Sequence, residues 1–328
     1  MAETRLDVVG IGNAIVDVIA QADDAFLAAR DLTKGAMALV EAAGAETLYA
    51  EMGPGLEMSG GSAANTLAGV AAFGGRAAFI GKVKDDQLGR VFRHDIRAAG
   101  VEFETPAETA GAATARCLIL VTPDAQRTMN TYLGACVELG PDDVDPALVR
   151  VARVTYLEGY LWDPPGAKAA FAKAMAVAHE AGAKVALSLS DPFCVDRHRT
   201  EFRDLVDHHV DILFANETEI QSLYQAADFD AALQQVRGRC EIAALTRSDK
   251  GSVVVAGDEV HVIDAAPVGH VVDTTGAGDL YAAGFLHGLT KGRDLRACGR
   301  IAAAAAAEVI GHYGARSETD LKRLVDGV

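Results

Sequence analysis

Between residues 151 and 246 the chain repeats one pattern four times. A short apolar run comes first, at 151–157, 184–190, 211–214 and 241–246. Helical stretches stand between and around these runs, at 165–181, 196–209, 217–224 and 229–237. The apolar runs do not alternate with polar residues, so both faces of each strand are expected to be buried. That pattern implies a parallel sheet covered by helices. Open sheets of this kind bind ligands at the carboxyl ends of their strands. Runs 6–12 and 77–83 also read as strands, and residues 86–89 open a helix reaching to about 99.

The chain has 328 residues, half of them hydrophobic, and no linker-like tract or internal repeat. One α/β domain spanning 1–328 is therefore expected. Four β-like runs, 17–21, 36–40, 115–122 and 128–133, do not alternate with long helices. They predict a small separate sheet built from segments about 14–58 and 101–136. The net charge is −16 (30 basic against 46 acidic residues), which argues against nucleic acid or an anionic membrane as a main partner. The five cysteines form no CxxC pair and read as reduced, mostly buried thiols. The first seven residues lack a leader-peptide layout, and the apolar tract 301–307 is too short to span a bilayer. A cytoplasmic protein is expected.

The chemistry concentrates in Asp273-Thr274-Thr275-Gly276-Ala277-Gly278-Asp279. A β-like run, 259–272, precedes it and a proline-free Ala/Leu/Gly stretch, 280–289, follows. Glycines let a ligand approach the backbone, and the free amides of a helix start favour an anion. Asp279 adds a carboxylate at the same spot. An anion cradle beside a base suits phosphoryl transfer to an alcohol, whereas an Asp here also serves as an ordinary cap. A helix N-terminus favours the carboxylate form, so the pKa of Asp279 is not expected to be high.

Other stretches carry a structural and a functional reading side by side. Gly60 and Gly61 precede a helical run at 67–73, which Ser62 could cap. Asn216 and Glu219 have the spacing of a capping box. Residues 246–251, Thr246 to Gly251, read as a β-turn between strands. Gly10-Ile11-Gly12 lacks the third glycine of a dinucleotide fingerprint, since position 15 is Ile15. A Walker A sequence is absent, as are an HExxH motif and a nucleophile elbow.

Taken together, residues 10–316 resemble the ribokinase-like (PfkB) carbohydrate and nucleoside kinases, with the adenosine-kinase-like members as the best match. The resemblance rests on the heptapeptide 273–279, on Ser59-Gly60-Gly61-Ser62-Ala63-Ala64-Asn65-Thr66, on Gly12-Asn13-Ala14-Ile15-Val16-Asp17 and on Asn216-Glu217-Thr218-Glu219. It implies a central mostly parallel sheet flanked by helices, with the small sheet as a lid over the substrate. It implies Asp279 as catalytic base and the amides of Gly276, Ala277 and Gly278 as anion hole, with Arg127 reaching the transferred phosphate from the lid. Asn13, Asp17, Gly60, Gly61 and Asn65 would bind the acceptor, Asp17 gripping ribose hydroxyls. Phe193 would line a base pocket; Asp191 stands where the family pattern has a small residue, which leaves the base open. Asn216, Thr246, Gly251 and Gly278 would border ATP. Glu219 would hold Mg²⁺ through water, and Asp273 and Thr275 could offer oxygens to a monovalent cation such as K⁺. The ending Gly314-Ala315-Arg316 matches the family's adenine-flanking segment.

The implied reaction is ATP- and Mg²⁺-dependent phosphorylation of a primary hydroxyl, that of adenosine first, with inosine, guanosine, ribose or fructose as alternatives. A ligand-sensing pseudokinase is the alternative from another class. A monomer or a homodimer through the lid is expected.

Overall fold

A computed structural model of the chain describes residues 6–124 and 126–325. Residues 1–5, on which most of the leader-peptide reading falls, and Ala125 of the 124–127 turn lie outside the described residues. Among the described residues fourteen strands follow one another. The first seven are β1 (Leu6–Ile11), β2 (Ile15–Gln21), β3 (Met37–Leu39), β4 (Gly55–Gly60), β5 (Ala77–Ile80), β6 (Val101–Glu102) and β7 (Ala115–Val121). The rest are β8 (Arg127–Tyr132), β9 (Ala152–Glu158), β10 (Lys184–Ser188), β11 (Ile212–Asn216), β12 (Ile242–Thr246), β13 (Ser252–Ala256) and β14 (Glu259–Ile263).

Nine of them form one sheet in the order β14-β13-β12-β11-β10-β9-β1-β5-β6. Neighbours from β12 to β6 run parallel, and only the hairpin partners β13 and β14 run antiparallel. The interior strand β1, LDVVGI, is buried at all six positions, and its one charged residue, Asp7, accepts from Lys291 Nζ at 2.8 Å. Helices Pro165–Glu180, Pro192–His208 and Glu217–Tyr224 cover one face, through Phe171, Phe202 and Ile220. Helices Ser62–Ala72, Gln87–Ala98 and Ala277–Thr290 cover the other, through Leu67, Phe92 and Phe285.

A second sheet has the order β3-β8-β7-β2-β4. It matches the small sheet read from the sequence and adds β4, which that reading missed. β4 has the sequence GLEMSG, with a glycine at each end and no β-branched residue, so it carries little strand signal. One face of this sheet packs Val16, Val18, Leu118 and Leu120 under Leu27, Ala45 and Leu48. Its outer strand β3 leaves Met37 and Leu39 exposed.

Two local readings are corrected. The expected run 259–272 ends at Ile263, because Pro267 and Gly269 interrupt it; Val272 instead donates its amide to Ile310 O. The helix read from 196 starts earlier, at Pro192, with Asp191 as its N-cap. Four cysteines, Cys117, Cys136, Cys194 and Cys298, are buried free thiols and Cys240 is partly so. Among the described residues no helix is long and apolar enough to cross a membrane.

Candidate active site

The parallel strands end along one edge, and that edge gathers the residues of interest. The register sets Glu158 beside Ser188 and Asn216 beside Thr246. Asn13 follows the end of β1, next to β9. The start of helix Ala277–Thr290 meets helix Ser62–Ala72 above this edge, where Asp279 is bonded from both Ser62 and Asn65.

Gly276 precedes the helix in the left-handed region, with φ 79°. A Cβ at this position would lie 2.7 Å from Ala315 Cα, so the turn closes only with glycine. Ala277 N donates to Thr274 O at 3.3 Å, and Leu280 N donates to Gly276 O at 2.8 Å to begin the helical ladder. Of the three amides expected to form the anion hole, that of Ala277 therefore already has an acceptor. Those of Gly276 and Gly278 have no backbone acceptor among the described residues. The space beside Gly278 is open, since a Cβ there would meet no heavy atom within 4 Å.

Asp279 is held by a neighbouring helix. Ser62 Oγ donates to its Oδ1 at 2.6 Å and Asn65 Nδ2 donates to its Oδ2 at 3.0 Å. Ser62 is thus not the cap expected of it: Gly61 occupies that place, and the Ser62 side chain turns to Asp279. Asn65, expected to bind the acceptor, also spends its amide on Asp279. Burial pushes the Asp279 carboxyl upward, against the hydrogen bonds from Ser62 and Asn65 and the nearby charge of Arg316. The low pKa expected from the helix terminus alone is corrected accordingly. Loss of water outweighs the terminal dipole at the floor of a cleft.

Asp17 faces the same space from the small sheet. Its Oδ2 would lie 2.3 Å from a Cβ on Gly60, so the missing side chain at Gly60 makes room for the carboxylate. Gly61, at φ 94°, brings the chain against Asn13 O, where a Cβ would lie 2.2 Å away. Burial pushes the Asp17 carboxyl up to about 7; Arg316 and Arg127 oppose this and Asp279 adds to it. Asn13 is itself buried, and its Nδ2 donates to Glu158 Oε1 at 2.7 Å. Glu158 Oε2 accepts from Ala63 N at 2.8 Å. This carboxylate therefore ties the end of β1 to the start of helix Ser62–Ala72, and burial pushes it up to about 7. Sequence reasoning missed Glu158, because an acidic residue ending a strand looks like the start of a solvated loop.

Arg127 opens β8 and crosses from the small sheet to the heptapeptide. Its Nη1 donates to Thr275 Oγ1 at 3.2 Å, its Nη2 pairs with Asp273 Oδ2 at 2.7 Å, and its guanidinium lies 5.5 Å from the centroid of the Tyr313 ring. Asp273 Oδ1 accepts from Thr275 N and Oγ1, and Oδ2 accepts from Gly314 N at 3.0 Å. The side-chain oxygens considered for a monovalent cation thus serve the loop itself and a guanidinium.

At Asn216 the capping box is complete. Asn216 Oδ1 accepts from Glu219 N at 2.9 Å, while Asn216 N and Nδ2 donate to the Glu219 carboxylate at 2.9 and 2.5 Å. Glu219 is buried and pushed up to about 7 by burial, with the Asp191 charge acting in the same direction. Its donors are neutral amides, so a hydrated divalent cation would supply the missing positive charge without displacing a side-chain cation. Thr246 ends β12 beside Asn216, and Gly251 closes the hairpin to β13. Arg247 fixes this turn to helix Glu217–Tyr224 by donating to Glu217 Oε1 at 3.2 Å.

Phe193 is 75 % exposed, so it stands out from the core at the head of helix Pro192–His208. Tyr160, which sequence reasoning passed over, is a second exposed aromatic on this edge, and its amide donates to Ser190 Oγ. Its hydroxyl is pushed up by burial, and the charges of Asp191, Glu219, Asp279 and Glu158 act in the same direction. Asp191 Oδ1 caps its helix through Cys194 N at 2.6 Å.

Comparison with known proteins agrees with this fold. Residues 53–321 match the model of the pfkB family carbohydrate kinases. The chain is similar to a solved structure of adenosine kinase from Sinorhizobium meliloti, with 54% identity, a TM-score of 0.91 and coverage of 98% of this chain and 99% of that one. It is similar to a probable sugar kinase from Rhizobium etli, with 52% identity, a TM-score of 0.92 and coverage of 99% and 98%. An ATP-dependent ribose-1-phosphate kinase of Halopiger xanaduensis is 32% identical over 269 residues, 80% of this chain and 83% of that protein.

Proposed function

The chain belongs to the pfkB family of carbohydrate kinases, and from that premise we propose that it transfers the γ-phosphoryl group of ATP to the primary hydroxyl of adenosine. The observation that carries this reading is the placement of Asp279. It sits in the first turn of helix Ala277–Thr290, below two unpaired amides and across from Asp17.

Asp17 accepts hydrogen bonds from the vicinal ribose hydroxyls, for which a carboxylate has enough lone pairs. Gly60 and Gly61 keep the wall beside it low. Asp279, fixed by Ser62 and Asn65, orients the primary hydroxyl and accepts its proton as transfer proceeds. Its raised pKa makes it a better base than a solvated aspartate, and a loose transition state asks for the proton late. The amides of Gly276 and Gly278, with Ala277 in support, stabilise charge on the phosphate oxygens. Arg127 moves from Asp273 to the transferred phosphate, bringing the small sheet down as a lid that excludes water. Mg²⁺, when bound, neutralises charge on the ATP phosphates, and Glu219 and Asn216 would hold it through water. Thr246 and Gly251 border the nucleotide. Phe193 and Tyr160 offer aromatic surface to a base.

The likeness to the Rhizobium etli and Halopiger xanaduensis proteins supports a second reading, a sugar acceptor. The two readings separate in one assay: ADP release with ATP and Mg²⁺ across adenosine, inosine, guanosine, ribose and fructose. Adenosine is expected to be the preferred acceptor. Selective turnover of ribose or fructose would replace the nucleoside reading. Binding without turnover of any acceptor would make the protein a sensor.

A further inference from the structure

We propose that Arg316 is a positioning residue for this reaction: anchored by neutral oxygens under the cleft, it holds Asp17 and Asp279 in place and in their charged forms. The proposal rests on the reading of the cleft as a kinase site.

Arg316 Nη1 donates to Ala64 O, and Nη2 donates to Ser59 O and Ser59 Oγ, each at 2.9 Å. Ser59 and Ala64 bracket the segment that carries Gly60, Gly61 and Ser62. One side chain thus pins both ends of the segment that makes room for Asp17 and, through Ser62, holds Asp279. Ser59 is fixed in turn by Asp95, whose Oδ2 accepts from Ser59 N at 2.7 Å and Ser59 Oγ at 2.6 Å.

All of these acceptors of Arg316 are neutral. A buried guanidinium without a carboxylate in contact is costly unless negative charge stands nearby. Asp95, Asp17 and Asp279 supply that charge at longer range. Arg127 also acts on Asp17, but it is paired with Asp273 and is not among the charges that lower Asp279. The remaining neighbours cannot replace Arg316. Cys117 faces Asp17 from β7 as a neutral thiol, and Glu158, Tyr156 and Tyr160 feel Asp279 only as repulsion. The Asp279 charge favours protonation of Asp17, and burial favours protonation of both. A protonated Asp279 cannot take a proton from the acceptor, and a protonated Asp17 loses an acceptor site for the diol. Arg316 is placed to prevent both.

The test uses the full chain with Arg316→Gln, with Arg316→Met as a second neutral variant, and with Arg316→Lys. The readouts are kcat/KM for adenosine against pH and ¹³C titration of the aspartate carboxyls. In the neutral variants the acid limb and the carboxyl titrations are expected to move up by about one pH unit, a roughly tenfold loss on the acid side that recovers toward alkaline pH. The lysine variant is expected to keep the wild-type limb. An equal loss at every pH with unmoved titrations would reduce Arg316 to a structural tie and overturn the proposal. So would a lysine variant that shifts as far as the glutamine one. The carboxyl titrations need no turnover. A wild-type chain that phosphorylates nothing would therefore sink the kinase reading while still deciding for or against Arg316.

Discussion

Two of the helices that begin at the cleft treat their first amides in opposite ways. Helix Glu217–Tyr224 closes its start with its own side chains: Asn216 and Glu219 satisfy each other completely. Helix Ala277–Thr290 has no side-chain cap; Gly276 turns the chain and the amides on either side of Ala277 stay open. An open helix start is an anion site waiting for its ligand, whereas a closed one presents the outside of a buried carboxylate. On the proposed reading, one end of the cleft receives phosphate and the other attracts a cation. Phosphoryl transfer needs both.

The largest break in this contrast is at Asp279. Asp279→Asn keeps a side chain of the same shape but removes the proton acceptor. Turnover is expected to fall about 10²–10⁴-fold while adenosine binding by calorimetry stays close to wild type. Loss of binding in parallel with turnover would assign Asp279 to the acceptor pocket alone.

Gly276→Ala attacks the open end through the backbone. A left-handed L-residue costs about 1–2 kcal/mol before the clash with Ala315 is counted. At tenfold per 1.4 kcal/mol, a loss of about tenfold or more in turnover is expected, with a rise in KM for ATP. A variant with normal kinetics would mean that the loop does not bind phosphate.

The closed end is probed by Glu219→Gln. Half of the capping box survives, so melting should drop by only about 2 °C for a loss near 1 kcal/mol. The Mg²⁺ concentration for half-maximal rate is expected to rise severalfold. An unchanged Mg²⁺ dependence would leave Glu219 as a cap and nothing more.

The smallest expected effect concerns pH. Folded Glu158 binds its proton up to about pH 7, above the ordinary range of a glutamate in an unfolded chain. Between those two values the folded state holds more protons than the unfolded one, so this group's contribution to stability declines as pH rises toward 7 and then levels off. Glu158→Gln should therefore lower overall stability yet flatten the fall in melting temperature from mildly acid to neutral pH. A slope identical to wild type would remove Glu158 from the buried set.

The contrast between the two helix starts also marks what the sequence could disclose. The alternation after residue 150 made the parallel sheet legible, because strands buried on both faces leave uninterrupted apolar runs. Gly276 and Asp279 were legible as a helix start with chemistry, and Asn216 and Glu219 as a capping box. Residues whose role depends on tertiary partners were not. Glu158 reads as a loop acid until it is seen binding Asn13 and Ala63. Ser62 reads as a cap until its hydroxyl is found on Asp279. Tyr160 carries no local signal at all; only its exposure beside Ser190 at the strand ends marks it. The pKa of Asp279 went astray for the same reason, since a helix dipole can be read locally and burial cannot.

The central claim is that Asp279 and the open amides beside it phosphorylate a nucleoside. Phosphorus-31 NMR of one reaction tests it most directly, with adenosine, ATP and Mg²⁺ incubated with wild-type chain and with Asp279→Asn. The account predicts a 5′-monophosphate and ADP in equal amounts from the wild type, and almost none from the variant. Equal product from both proteins, or adenosine left untouched while a free sugar is phosphorylated, would contradict it.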